Sequence, residues 1–343
     1  WEENYFMHFI EKSMKQMRFV LVTLLLVVLL MSGVTSAKTI VMGDFSWESV
    51  QVHNRIAGFI LEHGFGFDVE YMYGESIPII LGLRRGDVHI TTELWIDNLY
   101  DAVVDAVESE DVMILGPNYP NAPQGWYVPT YVIEGDESRG IEAVAPDLKT
   151  VDDLKKYAHL FPDPTDRNKG RFHNAPTGWV AHDINNEKIE IYGLDEYYNS
   201  FNTGSDAGLS TVIVRAYERG EPIVAYNWEP NWVIGLLDMT MLEEPAYDSK
   251  RWNEDFGTAY PASKVLVFAN TDFIREEPRV GGFLANYTST LEQTNEFLAY
   301  MEENGATTDE TALWFLKNNG EIWQSWIVDQ DIIANVINAL EGK

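Results

Sequence analysis

The sequence predicts an α/β protein of two lobes with a cleft between them, and three observations carry that reading. Short apolar runs alternate with segments of helical spacing from Lys38 onward. The alternation occurs twice, and a β-rich stretch at 125–132 and an irregular return at 247–252 separate the two rounds. A chain of 343 residues, 45% of them hydrophobic, can fill two ordinary cores.

In the first lobe, residues 39–42 form a short apolar strand, and Gly43-Asp44 opens a loop that carries Trp47. Val52, Ile56, Phe59 and Ile60 recur at helical spacing over 49–63, and Gly64 is a suitable C-terminal cap. A second strand over 68–72 is followed by a helix over 78–85 that Gly86 stops. A third strand over 88–94 delivers Trp95, and a helix covers 99–108. The stretch 125–132 then crosses to the second lobe.

There, 147–160 is helical, with Thr150 and Asp153 placed as a capping box in which Asp replaces Glu or Gln. Residues 161–169, rich in Pro and Asp, read as a loop. A strand at 171–174 leads to a helix opening at Thr177 or Gly178 and running to about Ile191, and a further helix covers 205–219. The apolar run 222–226 is a buried strand that must stop at Pro230. The chain returns through 247–252 to a strand at 264–270 and ends in helices over 280–303, 308–318 and 329–340. This assigns 38–130 with 246–343 to one lobe and 131–245 to the other, joined by two crossings.

The N-terminus reads as a leader. Lys15 and Arg18 precede an apolar run over 19–31, and small residues up to Ala37 suit a signal peptidase, so cleavage is expected after Ala37, with translation starting at Met14 or Met17. The protein is therefore expected outside the cytoplasm or in the periplasm. With 24 Lys and Arg against 54 Asp and Glu, the formal charge of -30 makes nucleic acid and anionic lipid poor partners. Cysteine is absent, which removes thiol catalysis, disulfides and Cys-rich zinc sites, and no cofactor is expected.

The candidate site is built from tryptophans. Trp228 ends a strand, and Trp47, Trp95 and Trp179 stand in similar settings. In open α/β sheets ligands sit at the carboxyl ends of strands. A quaternary ammonium has no N–H to donate, so indole faces attract it where ordinary acceptors cannot. If a helix opens at Gly178, the amides of Val180 and Ala181 and the helix dipole suit a carboxylate. Together these groups describe a site for a small zwitterion. Glu48, Glu93 and Asp97 lie beside the same tryptophans and offer an alternative polar contact for a ligand without a carboxylate.

Trp95 with Asp97-Asn98-Leu99-Tyr100, Gly125-Trp126-Tyr127-Val128-Pro129, Pro176-Thr177-Gly178-Trp179 and Trp228-Glu229-Pro230-Asn231-Trp232 resemble the substrate-binding proteins of glycine betaine/proline betaine ABC importers. The resemblance spans essentially the whole mature chain. It implies a bilobal type II periplasmic binding protein, not an enzyme, whose lobes close like a hinge on its ligand. It also implies that Trp95, Trp179 and Trp228 enclose the methylated ammonium while Val180 and Ala181 face the carboxylate. The implied partners are a quaternary amine such as glycine betaine, a membrane permease and its ATPase, with the binding protein itself a monomer. Some relatives carry a carboxylate-binding His where this chain has only Ile96 between Trp95 and Asp97, or has Asn231. A choline- or carnitine-type ligand is the alternative within the fold. The alternative of another class is an exported carbohydrate-active enzyme pairing Glu93 with Glu229 beside stacking tryptophans.

Overall fold

The computed structural model describes residues 37–98 and 100–343; the expected leader, residues 1–36, lies outside the described part. Residues Thr39–Lys343 form one compact unit built on two sheets. The first half supplies β1 (Thr39–Asp44), α1 (Glu48–Phe59), β2 (Asp68–Tyr73), α2 (Ser76–Arg85), β3 (Ile90–Trp95), α3 (Tyr100–Glu108) and β4 (Val112–Ala122). The middle supplies β5 (Gln124–Pro129), α4 (Thr130–Glu134), α5 (Leu154–Tyr157), β6 (Pro162–Asp163), β7 (Asp166–Asn174), α6 (Val180–Ile191), β8 (Tyr198–Asn202), α7 (Asp206–Arg219), β9 (Val224–Trp228), α8 (Trp232–Leu236) and β10 (Met239–Met241). The return brings α9 (Ser249–Asp255), β11 (Ser263–Asn270), α10 (Thr271–Glu276), α11 (Pro278–Asn286), α12 (Leu291–Asn304), α13 (Thr308–Asn318), α14 (Gly320–Ser325) and α15 (Gln330–Glu341).

The first sheet has the order β2-β1-β3-β11-β4, with β1 parallel to β2 and β3, and β11 antiparallel to both its neighbours. The second has the order β10-β5-β9-β7-β6, with β8 paired to β7. Its centre is parallel, β7 with β8 and β9, and β5 runs antiparallel to β9. The chain passes from one sheet to the other at Pro123, between β4 and β5, and returns between β10 and β11. β5 is hydrogen-bonded to β9, so the switch from the first sheet to the second falls at Pro123.

Two apolar clusters follow from this layout. One face of the first sheet, through Ile40 and Met42, packs with Ile56 of α1 against Phe283, Phe297, Phe315, Trp323 and Trp326 of the C-terminal helices. The other cluster is continuous from Phe45 and Leu94 through the cleft tryptophans to Trp126 and Phe172 of the second sheet. Burying such aromatic surface at about 25 cal/mol per Å² is the main force that holds the lobes together in this form.

Sequence patterning placed many elements within a few residues; it did not foresee β4, β8 or β10, and three expected segments differ. The expected loop at 161–169 is a hairpin of β6 and β7, with the Asp163 carboxylate accepting from the Thr165 amide at its turn. The expected single helix over 280–303 is two, because Thr290 and Gln293 form a capping box that starts α12 afresh. The segment 147–160 contains only short helical turns, although the Thr150–Asp153 capping box is present.

Candidate functional site

Each lobe offers one tryptophan at a helix start and one at a strand end. Trp47 is the N-cap of α1 and Trp95 ends β3; Trp179 is the N-cap of α6 and Trp228 ends β9. All four line one cavity of about 40 Å³, together with Ser76, Leu94, Asn98, Val180, Ala181 and Tyr226. The Trp179 ring stands at 77° to Trp47, with centroids 5.3 Å apart, and at 77° to Trp228 at 5.0 Å. Phe45, which is absent from the lining, stacks on Trp47 at 4.5 Å, and Tyr226 stacks on Trp228 at 5.8 Å and lines the cavity beside it.

Buried polar side chains fix the strand and helix ends that carry these rings. In the first lobe Asn54 donates to the Gly43 carbonyl at 2.7 Å and accepts from the Thr92 hydroxyl at 2.7 Å, tying the end of β1 to β3. A Cβ on Gly43 would lie 2.6 Å from Ile79, so only glycine permits α2 to pack this close to β1. In the second lobe the Asn185 amide donates to Asn174, and its carbonyl oxygen accepts from Trp126 and Tyr260, which anchors α6 to β7 and to the returning chain.

Glu93 sits behind the box. Its Oε1 accepts from the indole N–H of Trp47 at 2.7 Å, the indole N–H of Trp95 at 2.9 Å and the Ser49 hydroxyl at 3.0 Å. It is fully buried, and burial raises its pKa, against the effect of these donors. Across the cleft, the Trp179 indole N–H donates to the Ser46 hydroxyl at 2.7 Å, which donates to Glu75 at 3.2 Å.

Of the residues singled out from sequence, Trp47, Trp95, Trp179, Trp228, Val180 and Ala181 meet at the cavity. Gly178, Glu48 and Glu93 are absent from its lining. Gly178 supplies the turn before α6 at φ 103° and packs against Glu75. Glu48 is the first residue of α1, half-buried, and burial together with Glu302 raises its pKa. Asp97 faces the return crossing, accepting from the Lys264 amide at 3.3 Å. The Glu93–Glu229 pair expected of a hydrolase does not form a site, because Glu93 is sealed under two indoles and Glu229 does not reach the cavity. Asn231, where some relatives would carry a His, is the N-cap of α8 and accepts from the Val233 amide. Sequence reasoning missed Ser76, Leu94, Asn98 and Tyr226. Two of them had a signal: Tyr226 in its two-residue offset from Trp228 on one strand face, and Asn98 in the motif that follows Trp95.

Two α/β lobes joined by two crossings, with a small aromatic box between them, define a bilobal type II periplasmic binding protein, a class that captures solutes for transport. Residues 38–318 match the family described as the substrate binding domain of ABC-type glycine betaine transport systems, and the chain belongs to that family. Its members are extracytoplasmic transport proteins, not enzymes. Among curated relatives, the chain is 23% identical over 319 residues to the trimethylamine N-oxide-binding protein of Pelagibacter ubique, covering 90% of this chain and 98% of that one. Among solved structures, it is similar to an ABC-transporter choline binding protein in complex with choline (TM-score 0.71, 19% identity, covering 88% of this chain and 98% of that one). It is also similar to the glycine betaine, L-proline-binding protein ProX of Borrelia burgdorferi (TM-score 0.70, 15% identity, covering 87% and 100%).

Proposed function

We propose that this protein captures a trimethylated amine of the glycine betaine class in the box of Trp47, Trp95, Trp179 and Trp228 and delivers it to a membrane permease driven by a separate ATPase. The observation that carries this reading is the perpendicular packing of three of the four rings around a cavity that no charged side chain lines. Each indole face contributes roughly 0.5–2 kcal/mol to a desolvated cation, so four supply a large part of the about 8 kcal/mol that micromolar affinity needs. The remainder comes from the anionic end. Helices α1, α2 and α6 begin at the cleft without a side-chain cap. The uncapped N–H groups of α6, at Val180 and Ala181, are thus available to a carboxylate.

A specific observation favours trimethylamine N-oxide as a second reading. A cavity of about 40 Å³ suits a compact headgroup better than a sugar ring. Asn98 and Ser76 line the cavity and offer donors for an N-oxide oxygen. Calorimetric titration of the mature chain with glycine betaine, trimethylamine N-oxide, choline and a neutral sugar decides among these. Trp228→Ala is expected to lose up to about thirtyfold in affinity for the preferred amine with the fold intact by circular dichroism. Unchanged affinity in that variant, or binding of the sugar alone, would sink the aromatic-box reading.

A further inference from the structure

The trimethylammonium reading leaves Glu93 unexplained. The carboxylate is fully buried among the first-lobe elements that hold two walls of the box, and three donors converge on its Oε1. Its Oε2 makes no hydrogen bond, and neither does the hydroxyl of Tyr119, although that hydroxyl is close enough to favour the ionised carboxylate. Three donors on one oxygen, with the Tyr119 hydroxyl beside them, favour the ionised form, and burial opposes it as the larger effect.

An anion buried this deeply calls for a positive charge, and among the described residues none is paired with it. The groups packed around it are Ser49 and His53 of α1, Tyr119 of β4, and Tyr287, which precedes α12. His53 is held neutral, its pKa pushed down to about 3 by burial, and its two ring nitrogens are engaged by Tyr287 and Thr294. The nearby Arg55 is committed to Asp44 at 2.5 Å. Both tyrosines are kept in their neutral form by burial. Glu93 thus lies at the N–H edges of two indoles whose rings line the aromatic cavity.

We propose that Glu93 is the counter-charge of the bound cation and acts through the indoles of Trp47 and Trp95, without touching the ligand. An N–H that donates to an anion shifts electron density back into its ring, and hydrogen-bonded groups polarise one another in series, so the ring faces toward the cavity become more negative. The direct field of the carboxylate adds to this through a dry, low-dielectric wall. Glu93 is accordingly a positioning and specificity residue. It orients two box walls through one oxygen and biases the cavity toward cations over neutral shapes of equal size.

This inference deepens the proposed function and rests on it. The test compares glycine betaine with tert-butylacetate, its carbon isostere, which keeps the carboxylate and the bulky head but lacks the cationic charge. Glu93→Gln keeps an oxygen that can accept an indole N–H. It is expected to lower affinity for glycine betaine by about ten- to fifty-fold while leaving that for tert-butylacetate unchanged or improved. Losses of equal size for both ligands mean that Glu93 only packs the box and overturn the proposal, as does undiminished betaine affinity. If Gln at this site fails to fold, Glu93→Asp serves in its place, since a displaced carboxylate keeps charge preference while weakening both ligands. Loss of that preference in the Asp variant overturns the proposal. Failure of the unmodified chain to bind any trimethylated amine would instead remove the proposed function, and this inference with it.

Discussion

Asp206 shows how far a single buried carboxyl can be pushed by its surroundings. It opens α7 in the second lobe, is buried, and has its pKa raised to about 8, first by burial and then by the charge of Glu48 on the first lobe. A carboxyl whose folded pKa exceeds its unfolded value stabilises the fold while protonated, and this contribution disappears as pH rises through the folded value. The melting temperature is therefore expected to fall between about pH 4 and about pH 8 on this account. Asp206→Asn should flatten that slope and match or exceed the parent above pH 8, as followed by thermal melts across the range; an unchanged slope would assign the pH dependence elsewhere. At this scale the sequence was legible where residues are large. The four tryptophans stood out by their strand-end and loop settings, whereas Ser76 is a small polar residue of a kind found on any surface, and only the fold brings it to the cavity. Glu93 was visible as a neighbour of Trp95. Its place behind the ring follows from the two-residue period of β3, which sets both on one face, and from Trp47 arriving from another loop to share the same oxygen.

At the scale of elements, the turn that launches α6 is the most constrained. Gly178 has φ 103°, and a Cβ there would lie 3.0 Å from Cγ of Glu75, which belongs to the other lobe. Gly178→Ala therefore strains the backbone and also pushes against the Trp179–Ser46–Glu75 bridge of the closed form. The backbone strain, about 1–3 kcal/mol, is expected to lower the melting temperature of the ligand-free protein, and the push on Glu75 to weaken ligand binding besides. Undiminished ligand affinity in a destabilised variant would mean that the bridge plays no part in binding. Element boundaries were legible where a stop signal coincided with the end of a periodic pattern, as at Gly86, which adopts a left-handed conformation after its helix; Gly64 misled, since the helix runs on to Phe65 and Gly66 takes the left-handed position. They were not where local polarity misled. The Asp-rich β6–β7 hairpin looks like a loop because β6 lies at the edge of the sheet and the first half of β7 carries solvated side chains. The break before α12 hides inside an otherwise continuous apolar pattern and is set by capping alone.

For the molecule as a whole, the two crossings meet in one polar network. Gln124, the first residue after Pro123, donates to Ser263 of β11 at 3.1 Å and exchanges hydrogen bonds with Asn98, while its carbonyl oxygen also accepts from Tyr226 at 2.8 Å. Both strands of the hinge are thereby tied to two residues of the cavity lining. Gln124→Leu leaves these partners buried and unpaired, and is expected to weaken ligand binding about tenfold and to blunt the ligand-induced decrease in radius of gyration measured by small-angle X-ray scattering. Full compaction on binding in that variant would place the control of closure outside this network. The perpendicular ring pair of Trp47 and Trp179 spans the two lobes, whereas Trp179 and Trp228 share one. Parting the lobes breaks the first pair and spares the second. Coupled indole transitions give near-ultraviolet circular dichroism, so the molecule carries its own optical gauge of whether the cleft is shut, and kinetics of capture can be followed without attaching any dye.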